Sequence, residues 1–121
     1  MILFGALAFI FGLIGPVRPE VLLSIIGFDV PERSARAATD YTLVFLIASS
    51  MASFIVGVYY MLAALNDMKQ FYKWTVPFRC VTFLTFTLAV LSGLAPARFW
   101  GVGVWELTGA LATGLALWRE R

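Results

Sequence analysis

Four long apolar runs, residues 1–17, 41–65, 76–95 and 99–118, take up most of this chain. A helix needs roughly 17–25 mostly apolar residues to cross a hydrocarbon core about 30 Å thick, and each run falls in that range. Hydrophobic residues make up 61% of the sequence and charged ones 13%, against ~45–50% and ~25% in soluble domains. A chain of 121 residues cannot hide that much apolar surface in one water-soluble core. Lipid is therefore the expected solvent. The reading is an all-α integral membrane four-helix bundle, a single transmembrane domain over residues 1–121.

The first run begins at Met1 with no positive stretch ahead of it, so it is read as a retained helix rather than a secretory leader. Between runs one and two, "PEVLLSIIGF" offers a helix start at Pro19 and Glu20 but is too short to span. A short helix at the interface, or tucked against the bundle, is expected there. "DVPERSARAATD" follows, with Pro31 placed for the first turn of a helix leading into the second span and Arg36 and Asp40 spaced to pair. Tyr72, Trp74, Phe99, Trp100 and Trp118 mark the ends of spans as interfacial anchors.

With four spans the termini share one side. Lys69, Lys73, Arg79, Arg119 and Arg121 fall on that side and Arg18, Arg33, Arg36 and Arg98 on the other. The excess favours cytoplasmic termini in a multi-pass inner-membrane protein.

The sequence has no histidine and one cysteine, Cys80. That removes the commonest general base and the usual haem, zinc and copper ligands, so no metal or cofactor is expected. The net charge of +2 is spread out, and no basic block or aromatic–basic motif points to nucleic acid. Cys80 reads as a small packing residue.

Attention then falls on the polar groups inside the apolar runs. Glu106 shares a helix face with Val102, Gly103, Gly109, Ala110, Thr113 and Gly114, while Val104, Leu107, Leu111, Leu115 and Trp118 lie opposite. Small residues belong at helix contacts and bulky aliphatics toward lipid, so Glu106 points into the protein. In the third run Thr75, Arg79, Thr82, Ala89 and Gly93 form a stripe, with Thr85 at its edge and Phe86 interrupting it. The second run repeats small or polar groups at Thr42, Ser49, Ser53, Gly57 and Tyr60, and the first at Gly5, Ala8, Gly12 and Gly15.

Folding the chain at Pro96 puts Glu106 near mid-membrane, level with Leu88, within a turn of Thr85 and Thr87, and level with Ser49, Ser50 and Ser53. On the same count Arg79 lies closer to the opposite surface, beside Tyr60, and does not pair directly with Glu106. A lone carboxylate at that depth costs at least ~2.5–3.5 kcal/mol, which favours its neutral form unless water or a cation reaches it. Glu106, Arg79, Tyr60, Ser49, Ser53 and Thr85 are the candidate ligand-binding or proton-carrying residues. None is assigned a catalytic role.

The layout, with the polar break "NDMKQFYKWTVPFR" before the third span and the closing "WELTGALATGLALW", resembles the small bacterial membrane proteins of the BphX-like and DoxX-like kind. The resemblance implies a four-helix fold and a bacterial inner-membrane home, and carries over no catalytic residues. The small multidrug resistance transporters share the four short spans, but their membrane glutamate lies in the first helix, where this chain has no charged side chain.

The expected role is a non-enzymatic accessory or scaffold protein, or a binder of lipid or apolar small molecules. Its expected partners are the bilayer and a larger membrane complex or further copies of itself. The alternatives are a cofactor-independent membrane enzyme using Glu106, and a proton-coupled transporter built as a homo-oligomer.

Overall fold

The computed structural model describes residues 1–120. Arg121, one of the residues counted toward the side of the termini, lies outside them. The described residues are all-helical: α1 (Ile2–Val17), α2 (Pro19–Ile25), α3 (Thr42–Leu65), α4 (Lys69–Leu91) and α5 (Trp100–Arg119), with single 3₁₀ turns at Arg33–Ala35 and Ala97–Phe99. Two of the helices, α3 and α4, are long and apolar enough to cross a membrane. The chain divides into two compact units, Ile2–Leu62 and the segment from Ala63 onward together with Met1.

In the first unit, α1 and α3 run antiparallel at very close range. A Cβ at Gly12 would lie 2.4 Å from the Phe54 backbone nitrogen, and one at Gly57 would lie 2.5 Å from that of Phe9. Only glycine lets the two backbones meet in this way. The Ser53 hydroxyl donates across the seam to the Ala8 carbonyl at 3.0 Å, and the Phe9 and Phe54 rings pack with centroids 4.8 Å apart. The small stripes of the first and second runs are thus a real contact, with one change. Ser50, not Ser49, faces α1: it is buried against Gly15, whereas Ser49 is exposed and donates to the Leu46 carbonyl of its own helix.

The short helix expected after the first run is α2, and it is tucked in. Pro19 opens it, and Leu22 and Leu23 are buried, with Leu22 reaching the Gly15 turn of α1. It closes in a Schellman turn: Phe28 donates to the Leu23 carbonyl and Gly27 to that of Ser24, with Gly27 at φ +93°.

No α-helix follows Pro31, however. The segment makes one 3₁₀ turn and becomes extended at Arg36. Asp40 explains the late start of α3. Its carboxylate accepts the Thr42 amide at 2.9 Å and the Thr42 hydroxyl, and takes Arg36 at 2.8 Å. An aspartate that bonds the backbone two residues on favours a turn over continuing helix. The Arg36–Asp40 pair therefore forms, but in a loop. Arg33 pairs with Glu20 on the same connection and ties it to α2.

The second unit is built on the α4–α5 hairpin. α3 ends in another Schellman turn, Met68 donating to Ala63 and Asp67 to Ala64, with Asp67 at φ +46°. The Tyr72 hydroxyl donates to the same Ala63 carbonyl at 3.0 Å. α4 therefore starts at once, at Lys69, and passes straight through Pro77. The polar stretch before the third run is consequently its first turns and not a break. A third Schellman turn, Leu94 to Ala89 and Gly93 to Val90 with Gly93 at φ +77°, reverses the chain toward α5.

Candidate functional site

The register of the α4–α5 hairpin decides what surrounds Glu106. Trp100 Nε1 donates to the Thr87 hydroxyl at 3.0 Å. One turn on, the Cα of Gly103 faces Phe86 and Phe83, where an added Cβ would lie 3.4 Å from the Phe86 Cβ. Farther along, Gly114 faces Val76, and Lys69 meets Glu120 at 2.8 Å. These rungs place Glu106 opposite residues just past Arg79. The two side chains close the gap, and Arg79 Nη1 donates to Glu106 Oε2 at 3.1 Å.

The expectation that Arg79 and Glu106 stand apart is therefore corrected. The chain reverses at Gly93, not at Pro96, and the 3₁₀ turn at Ala97–Phe99 feeds directly into α5. That slides Glu106 along α4 toward Arg79, by several residues at ~1.5 Å each.

The pair is set into the hairpin. The Arg79 side chain is 4% exposed and that of Glu106 25%. Gly103, Gly109 and Ala110, on the face predicted for Glu106, are all buried, and so is Thr75, one turn before Arg79. Phe86 does not interrupt the α4 stripe. It packs on Gly103 and against the Phe99 ring, centroids 4.9 Å apart.

The candidate hydroxyls expected around Glu106 have their protons committed elsewhere. Thr85 is exposed and donates to Val81, and Thr82 donates to Phe78, each on its own helix. Ser49, Ser53 and Tyr60 belong to the first unit; Ser53 is spent on Ala8, and the Tyr60 Cβ packs beside Gly5. Of the six candidate residues, Arg79 and Glu106 pair directly within the second unit. Ser50, buried beside Gly15, is a packing residue not among the six; its spacing of three and seven residues from Ser53 and Gly57 is the signal that marks it.

The buried set mixes the apolar residues Leu22, Leu23, Ala63 and Ala110 with polar ones. The buried set includes Arg79, Thr75 and Ser50, while Phe45, Phe78, Leu84, Leu88, Leu91, Leu111 and Leu115 are among the exposed side chains. Among the described residues no group of three or more potential metal ligands occurs.

A separate cleft of about 460 Å³ opens between the start of α4 and the end of α5, lined by Lys69, Lys73, Val76, Pro77, Gly114, Leu117, Trp118 and Glu120. Arg79 and Glu106 are not part of it.

No protein-family model, curated protein or solved structure matches this chain.

Proposed function

We propose that this chain is a small, non-enzymatic integral membrane protein, four helices crossing a bacterial inner membrane, which serves as an accessory or scaffold subunit. The observation that carries the reading is the Arg79–Glu106 pair, its arginine buried and its glutamate partly so, in a molecule that leaves many large apolar side chains exposed. In lipid, polar groups turn inward and find partners, and lipid replaces water around the exposed aliphatics. The resemblance to the BphX-like and DoxX-like proteins supports the same architecture and location.

The pair also weighs against the alternatives. A proton carrier or general acid has to exchange its proton with water or substrate, whereas Glu106 faces an arginine, and arginine keeps its charge at any working pH. The glutamate is then a lock between α4 and α5. Such a pair is strongly destabilised by removal of one partner and far less by replacement of both with apolar groups of similar size.

Two measurements on the reconstituted protein test this. Glu106→Gln, which removes the carboxylate facing Arg79, is expected to lower stability by about 3 kcal/mol, the low end of the ~3–5 kcal/mol range because Glu106 is partly exposed. Arg79→Met with Glu106→Met is expected to recover most of that loss. In liposomes, wild-type protein is expected to show no proton-driven flux above the double variant. Flux that disappears when Glu106 is replaced, with the fold intact, would overturn the scaffold reading in favour of transport.

A further inference from the structure

The cleft at the open end of the α4–α5 hairpin has two kinds of wall. Lys69 and Lys73, one helical turn apart, share a face of α4 and stand at its mouth. Val76, Pro77, Gly114 and Leu117 form an apolar remainder, and Trp118 stands at the end of α5. At about 460 Å³ the space falls within the ~300–1,000 Å³ usual for small-ligand sites.

The charges in the cleft are only partly spent. Lys69 is paired with Glu120 at 2.8 Å, and both side chains are about half exposed. Open pairs of this kind hold weakly and yield to a better anion. Lys73 is exposed and makes no ion pair among the described residues. The site therefore has one cation in hand and a second behind an easily opened carboxylate.

We propose that this cleft binds the phosphodiester of an anionic phospholipid. The phosphate sits between Lys73 and Lys69, with Glu120 displaced, and the glycerol and upper acyl chains lie on Val76, Pro77 and Leu117. Two ammonium groups over an apolar floor, with a tryptophan alongside, match a molecule that is anionic at its head and greasy below. A free phosphate ester would satisfy the lysines and leave the apolar wall without a partner. The inference rests on the membrane reading above.

The test is native mass spectrometry of the full chain in detergent micelles, titrated separately with phosphatidylglycerol, phosphatidylcholine and water-soluble glycerol phosphate. Wild type is expected to retain phosphatidylglycerol in preference to phosphatidylcholine. Lys73→Gln is expected to cut that preference about fivefold, the effect of one basic residue at an anionic surface. Glu120→Gln should strengthen retention by freeing Lys69. Arg98→Gln, at the other end of the hairpin, should leave it unchanged.

Equal retention of the two lipids by wild type would overturn the site and leave the membrane reading standing. So would an Arg98→Gln effect as large as that of Lys73→Gln. Glycerol phosphate binding as tightly as the lipid would reassign the cleft to a soluble phosphate ester. A protein that holds neither lipid and stays monodisperse once detergent is removed would overturn both the site and the membrane reading.

Discussion

Single glycines decide how closely α1 and α3 approach, and they do not all matter equally. A methyl group at Gly12 would overlap the Phe54 backbone, which cannot move aside without separating the helices. Gly12→Ala is therefore expected to lower thermal stability in detergent by about 1–3 kcal/mol, the usual cost of overpacking. Gly101 is the control: it lies in α5 with nothing near the position a Cβ would take. Gly101→Ala is expected to gain up to ~1 kcal/mol from helix propensity. Equal effects at the two positions would contradict the close backbone contact. Helical periodicity makes the inward direction of Glu106 and of Gly12 legible in the sequence. Which residue each one meets depends on register, and register depends on turn geometry. Counting from Pro96 instead of Gly93 is enough to hide the Arg79–Glu106 pair.

At the scale of elements, the apolar runs announce four of the five helices, and α3 and α5 begin and end within a residue of their runs. The polar ends were less legible. Lys69, Gln70 and Lys73 read as a break because they are hydrophilic, yet their residue types suit a helix, and the Asp67 turn with the Tyr72 bond to Ala63 starts one there. Before α3 the reverse holds. Pro31 looks like a helix start, but Asp40 holds the chain in a turn. The hydroxyl and amide of Thr42, and then Arg36, depress the Asp40 pKa below the ordinary carboxylate value. A folded-state pKa below the unfolded one stabilises the fold above the unfolded value of ~3.9, and that contribution is lost as pH falls through the folded pKa. Acidification below about pH 4, through the depressed Asp40 pKa, is thus expected to release this cap. The amide proton shift of Thr42 should titrate with a midpoint under that of a free aspartate, and Asp40→Asn should abolish the titration. A midpoint at or above the free value would mean that the turn does not prefer the charged acid.

For the whole molecule, the proposed four crossings meet two physical difficulties. α1 has only 16 residues, ~24 Å at 1.5 Å each, short of a ~30 Å core. α5 has the length but carries Glu106 and four glycines. A short span is tolerated by local thinning of the bilayer at modest cost, and the carboxylate of α5 is matched by Arg79 on α4. That same match changes the orientation argument. With Arg79 drawn inside the hairpin, the remaining Lys and Arg residues stand four against four, and the positive-inside rule no longer favours either direction. Single cysteines in a Cys80→Ala background, at Ser34, Asn66, Ala97 and Glu120, can be probed with an impermeant thiol reagent in intact cells. Four crossings require Ser34 and Ala97 to behave alike, and Asn66 and Glu120 to behave alike. Balanced charge adds that every site should react in part, because both orientations are inserted. Lysines added beside Asn66 should then protect Asn66 and Glu120 together and expose Ser34 and Ala97. If Glu120 instead follows Ala97, α5 does not cross, and the four-crossing reading fails even though α3 and α4 remain long and apolar enough to span.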